Sequence, residues 1–334
     1  MNTQKRSTGF GAAILIFAIL LRLLDSAWLL PTHARRAGSE AQSIVRLPGV
    51  VLSAPVAPPV ETILPTLPPT TAPAPVVDTQ LRFTAEDVQY LGLRTATDCG
   101  YYPNLETLLL QSLQWDLDSG DPTVLIFHSH ACEAYTKEPG QDYTELLNCR
   151  TTHTDYNMVA VGEALTALLE SAGITVIHDR KLHDAHSYND AYNHSRVAVE
   201  EYLARYPSIR LVLDLHRDAA VEADGSRYAA LTTVEGQPAA QFMFVIGTDY
   251  SGSYHPAWKE NLSIALKLQA LMERQSGGIT RTCTLRGSRF NQDVAPGALL
   301  IEVGASGNTL TQVYRSWPIL AFAIIELRDG ANNG

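Results

Sequence analysis

Cysteine is sparse in this chain. The four thiols, Cys99, Cys132, Cys149 and Cys283, show no C-x-x-C spacing, which excludes a zinc ribbon and a thioredoxin-type redox site. Basic charge is also short: 25 Lys and Arg stand against 35 Asp and Glu, and the formal net charge is -10. With no dense Lys/Arg stripe to neutralise a phosphate backbone, a nucleic-acid partner is excluded. No internal repeat is visible. Charged residues make up 18% of the chain and hydrophobic ones 46%, so it is not disordered and holds enough apolar material for one large domain or two small ones.

The apolar material is uneven. Residues 10–30 follow Lys5 and Arg6, carry only Arg22 and Asp25 as charges, and have the length of one membrane crossing. Residues 1–9 would then form a cytoplasmic tail. A cleaved signal peptide is the competing reading, although no A-x-A site follows the apolar core. In both cases the bulk of the chain is exported, which permits a disulfide without indicating its pairing. Residues 31–78 contain Ala57-Pro58-Pro59, Leu67-Pro68-Pro69 and Ala72-Pro73-Ala74-Pro75, a composition that favours extended polyproline conformers over a packed core and reads as a linker.

Residues 79–118 form a leading region, helical in part around Asn104-Leu105-Glu106-Thr107-Leu108-Leu109-Leu110. From 119 to 334 apolar strand runs alternate with amphipathic helical patterns. Strands are expected at 124–127, 174–178, 210–215, 241–247 and 298–304, with helices at 157–172, 188–205, 260–274 and 309–327. That order predicts an α/β fold, a mostly parallel open sheet flanked by helices.

In such a sheet ligands bind outside the carboxyl ends of the strands. There this sequence places His128-Ser129-His130-Ala131-Cys132-Glu133, Asp214-Leu215-His216-Arg217-Asp218 and Glu302. Imidazoles and carboxylates gathered from three strands suit zinc, with three protein ligands and water in the fourth position. His130 and His216 are the expected ligands, with His128 supporting. The third ligand stays open: His153 is placed first, with Glu133 and Asp155 as alternatives. Asp214 and Asp218 are expected to orient His216 and stabilise charge. Glu302, emerging from Leu299-Leu300-Ile301, is the candidate general base, its proton affinity raised by apolar surroundings. Arg217, between Asp214 and Asp218, is expected to share in their role, and Arg289 is a candidate partner for a substrate carboxylate, or else a structural ion pair. His178, His183, His186, His194 and His255 read as surface or hydrogen-bonded residues.

Four segments together resemble a known family. They are Val124-Leu125-Ile126-Phe127-His128-Ser129-His130-Ala131-Cys132-Glu133-Ala134-Tyr135, Gly173-Ile174-Thr175-Val176-Ile177-His178-Asp179 with Tyr188-Asn189-Asp190-Ala191-Tyr192, Asp214-Leu215-His216-Arg217-Asp218-Ala219, and Leu300-Ile301-Glu302-Val303-Gly304 with Asn308-Thr309-Leu310. From about Val124 onward the chain is similar to the stage II sporulation protein P family, whose layout of anchor and proline-rich stalk it shares. The resemblance implies a fold like that of zinc-dependent N-acetylmuramoyl-L-alanine amidases. It also implies hydrolysis of the amide between N-acetylmuramic acid and L-Ala of the peptidoglycan stem peptide, with peptide cross-links as a further target. By the same resemblance His130 and His216 bind Zn2+, a position near His153 replaces the glutamate ligand of the wider amidase group, Glu302 is the catalytic acid/base, and a nearby donor such as Arg217 helps hold the oxyanion. A single-pass cell-membrane protein with an extracytoplasmic catalytic domain is implied, acting during engulfment in a membrane complex with a lytic transglycosylase and a second anchored protein.

Overall fold

The structure, a computed structural model, describes residues 83–113, 117, 120–220, 224 and 226–331. All of them fall in one of the chain's two compact units, Leu64–Gly334. The expected tail, membrane helix and proline-rich linker lie outside the described residues. Among those described, no helix is long and apolar enough to cross a membrane.

Nine strands are described: β1 (Thr95–Thr97), β2 (Val124–Phe127), β3 (Val176–His178), β4 (Leu211–Asp218), β5 (Leu231–Val234), β6 (Gln237–Ala240), β7 (Phe242–Gly247), β8 (Cys283–Arg286) and β9 (Ala298–Ala305). The helices are α1 (Glu86–Tyr90), α2 (Leu105–Leu109), α3 (Met158–Ser171), α4 (Ala191–Arg205), α5 (Trp258–Gln275) and α6 (Leu310–Ala331). Seven strands form one sheet in the order β1-β8-β7-β9-β4-β2-β3, and β5 with β6 makes a separate hairpin. Within the large sheet only the β7–β9 pair is antiparallel. The sheet is therefore mostly parallel, as the sequence predicts, but it is split: β9, β4, β2 and β3 run one way and β7, β8 and β1 the other.

Helices start and stop where side chains satisfy loose backbone groups. Asn157 caps α3 by accepting from the Val159 amide, and Asn104 caps α2 through the Thr107 amide. Gly173, at φ +82°, turns the chain out of α3 in a left-handed conformation that costs glycine nothing. Two apolar clusters cover the sheet. One joins Val124, Ile126, Leu211, Leu213, Leu299 and Ile301 to α3, α5 and α6; the other joins Leu125, Phe127, Val212 and Ala298 to Val199 of α4. Burial on both faces is why β2 and β4 read as unbroken apolar runs instead of alternating ones.

Several boundaries differ from expectation for physical reasons. β4 runs three residues past the expected 215, and β9 continues to Ala305. His216 and Glu302 thus lie inside the paired stretch of β4 and β9. β1, in the leading region, pairs with β8, so that region completes the sheet edge. β1, β8 and the β5–β6 hairpin are short and only partly apolar, which hid them from periodicity.

Candidate functional site

Strand parity sorts the polar residues. Side chains two apart on a strand share a face, so Asp214 and His216 follow Val212 towards α4, and Glu302 follows Ala298 to the same side. His216 and Glu302 are register partners on the adjacent parallel strands β4 and β9. His128 continues the parity of Val124 and Ile126 and goes to the α3 face. There its Nδ1 lies 3.1 Å from the Leu215 carbonyl and its Nε2 3.0 Å from His178 Nε2. Burial, followed by His178, pushes its pKa down to about 3.

β2 ends at Phe127, and the turn after it frees His130 from strand parity. The His130 ring is buried, 5.5 Å from the His216 ring and stacked on Tyr188 at 4.2 Å, with Tyr192 edge-on at 5.4 Å. The Glu133 amide donates back to the His130 carbonyl, closing the turn. This brings Glu133 Oε2 to 3.6 Å from His216 Nδ1, while Asp214 Oδ1 lies 2.9 Å from the other ring nitrogen, off the line of a straight hydrogen bond.

Burial works against a charged His216, but Asp214, then Glu133 and Glu302, push its pKa up to about 9. Burial raises Glu302 to about 8; His216 opposes the rise, and the neighbouring charges of Asp218 and Glu133 add to it. Asp214, although buried, is held below the usual carboxylate range by His216 and Ser129. A carboxyl poised near neutrality beside an imidazole pair is a proton-transfer arrangement.

His130 Nδ1 and Glu302 Oε2 are buried without a hydrogen-bond partner. The donor types suit zinc, and the 3.6 Å between His216 Nδ1 and Glu133 Oε2 is close to the edge, about 3.4 Å, of a tetrahedron with ordinary zinc–ligand bonds. Among the described residues no three His, Cys, Asp or Glu side chains stand together in ligand geometry. The fit is thus one of donor chemistry and of the His216/Glu133 pair.

Several expected roles change. His153 lies outside this grouping: its side chain is 49% exposed, packed on Tyr156 and 3.8 Å from Asp155, itself 78% exposed. Glu133, not His153, lies beside His216, because the turn after β2 folds it back onto β4. Arg217 is not aimed at an oxyanion. Its buried guanidinium donates to the carbonyls of Ala134, Asn148 and Cys149, and its amide donates to Glu133 Oε2. It therefore ties the loops to β4. Arg289 pairs with Asp293, which also takes a two-point ion pair from Arg196, so the ion-pair alternative describes it. Asp218 pairs with Arg281. Of the other histidines, His178, His183 and His194 are hydrogen-bonded. His255 departs from expectation: it is buried with neither ring nitrogen partnered.

Sequence reasoning overlooked Asp184. It accepts from the Cys132 amide and from Arg150, with Oδ2 3.7 Å from His130 Nδ1. Only its place in a polar turn after β3 signalled it. The sequence also gave no role to Tyr188, just before α4, and Tyr192, in its first turn, which meet the His130 ring face-on and edge-on.

Fold and cluster together define a class: an α/β protein with a histidine–carboxylate centre on the α4 face of its sheet. Within that class the chain belongs to the Stage II sporulation protein P (SpoIIP) family, whose model matches residues 80–325. It is 28% identical over 234 residues to Stage II sporulation protein P of Bacillus subtilis (strain 168), covering 64% of this chain and 55% of that relative's length. Among solved structures, the CwlD amidase from Clostridioides difficile in complex with the GerS lipoprotein aligns at TM-score 0.37 and 14% identity, over 63% of this chain and 98% of that one. The N-acetylmuramoyl-L-alanine amidase AmiC2 of Nostoc punctiforme aligns at 0.35 and 10%, over 60% and 94%. Ami1 from Mycobacterium smegmatis aligns at 0.35 and 10%, over 65% and 98%. At these scores no residue role transfers from the solved structures.

Proposed function

We propose that this domain is a zinc-dependent peptidoglycan hydrolase of sporulation that cuts the amide between N-acetylmuramic acid and L-Ala of the stem peptide. The single observation that carries this reading is the convergence of His130, Glu133, His216 and Glu302, the last with its proton affinity raised by burial, in a chain of the stage II sporulation protein P family. His130, His216 and Glu133 would hold the metal, which when bound polarises the scissile carbonyl and activates water.

The chain's own residues supply the remainder. Glu302 takes the water proton and returns it to the leaving amine, and its burial keeps that proton transferable near neutral pH. Asp214 orients the His216 ring from the side away from Glu133. Arg217 fixes Glu133 from β4, and Tyr188 with Tyr192 packs His130 in place. Membrane anchoring through residues 10–30, with this domain outside the cytoplasm, belongs to the same proposal.

The test is mass spectrometry of purified peptidoglycan digested by the zinc-loaded protein and by Glu302→Ala. The reading expects freed lactyl groups from the first and loss of release, with zinc retained, from the second. Products cut only within the peptide would make the protein an endopeptidase, and undiminished release by Glu302→Ala would overturn the assignment of its base.

A further inference from the structure

Asp214, which braces His216, is itself braced by buried side chains. Its Oδ2 accepts from the Ser129 hydroxyl at 2.6 Å and its Oδ1 from the Ser129 amide at 2.8 Å. Ser129 Oγ lies 2.9 Å from Ser195 Oγ on α4, and Ser195 Oγ lies 3.3 Å from Asn291 Nδ2. Ser129 and Ser195 are wholly buried, and Asn291 nearly so.

A hydroxyl has one proton to give, and this fixes the direction of the chain. An ionised carboxylate only accepts, so the Ser129 proton is committed to Asp214. Ser129 must then accept from Ser195, whose own proton is committed in turn. The other acceptor within reach of Ser195, the Tyr192 carbonyl, is farther at 3.3 Å and also takes the Asn291 amide at 2.7 Å, so the shorter 2.9 Å contact to Ser129 is the one the Ser195 proton serves. Every donor therefore points one way, from Asn291 through Ser195 and Ser129 to Asp214, and successive bonds polarise one another. The Asp214 carboxylate so held lies 2.9 Å from His216 Nε2, which turns that nitrogen towards the carboxylate and leaves Nδ1 to face Glu133.

Asn291 is placed by an unusual backbone. It and Phe290 both adopt left-handed φ, +58° and +50°; this is uncommon for asparagine and strained for phenylalanine. Phe290 packs on Tyr192, the residue over His130 and His216.

We propose that Ser195 and Asn291 are positioning residues: with Ser129 they form a one-directional hydrogen-bond relay that locks Asp214 and presents His216 to the metal through Nδ1. The inference rests on the zinc reading above. It joins the loop after β8 and helix α4 to the centre.

The experiment is zinc affinity by chelator competition in the full chain, together with the His216 ring 15N spectrum of metal-free protein at about pH 10, where imidazoles are neutral. Wild type is expected to show the proton on Nε2. Ser195→Ala and Asn291→Gly, the latter tolerant of left-handed φ, are expected to lower zinc affinity roughly 10-fold and to perturb the His216 spectrum. Ser316→Ala removes an equally buried hydroxyl, bonded to the Ala240 carbonyl, and is expected to change neither. In a Ser129→Ala background Ser195→Ala is expected to add nothing, because its acceptor is gone. Wild-type affinity and spectrum in both relay variants, additive effects in the double variant, or a Ser316→Ala loss equal to that of Ser195→Ala would each overturn the relay. Absence of zinc binding by the wild type would remove the functional reading while the spectra still decide the relay.

Discussion

Glu133 Oε2 stands 3.6 Å from His216 Nδ1, and this contact makes Glu133, in place of His153, the carboxylate partner of the histidine pair. Glu133→Gln is expected to weaken zinc binding more than about 10-fold, while His153→Gln, altering an exposed ring, is expected to leave it within about twofold. Chelator competition on the two variants decides between them, and the reverse order would return the ligand role to His153.

Buried titrating groups give the metal-free protein a two-sided pH profile. His216, raised from 6.5 to about 9, contributes stability that is full below pH 6.5 and lost as pH rises through 9. Glu302, raised from 4.5 to about 8, contributes stability full below 4.5 and lost as pH rises through 8. His128 works the other way: lowered from 6.5 to about 3, it contributes stability present above 6.5 and lost as pH falls through 3. Melting temperature is therefore expected to decline above pH 6.5 and below pH 4.5, the Glu302 and His128 effects opposing each other in between. Glu302→Gln is expected to flatten the alkaline decline, and an unchanged slope would refute its raised proton affinity.

Gly162, on α3, has no room for a side chain. A Cβ there would sit 2.5 Å from His178 Nε2 and 2.6 Å from His128 Nε2. Gly162→Ala is expected to part the two imidazoles and to cost about 1–3 kcal/mol, read as a lower urea midpoint with the slope unchanged. A neutral substitution would mean that the histidine pair is not held as described.

Arg217 separates a structural role from a catalytic one. Arg217→Gln strips donors from the carbonyls of Ala134, Asn148 and Cys149, and at least about 2 kcal/mol of stability is expected to go with them. An oxyanion donor would behave differently, losing hydrolysis at constant stability. Parallel melting and muropeptide assays distinguish the two.

The legible part of this protein was its sheet centre. Val124–Phe127 and the apolar start of β4 are buried on both faces, so their residues advertise strand regardless of neighbours, and Asn157 and Gly173 punctuate α3 through local backbone chemistry. β1 and β8 were illegible because short edge pieces take their structure from a partner. The antiparallel turn of β7 against β9 was equally hidden, since no local pattern records the direction of a distant strand.

The same division runs through the site. Sequence alone determined which residue types carry the polar chemistry of the sheet, because histidine, glutamate and aspartate at the ends of apolar runs are costly unless paired or used, and it singled out His130, His216 and Glu302, which the fold brings near one another. Tertiary structure decided who meets whom. Strand parity sent His128 to the α3 face, the turn after β2 folded Glu133 onto His216, and Arg217 was spent on loop carbonyls. Those outcomes depend on side-chain direction and on donors from distant segments, which spacing along a chain does not encode.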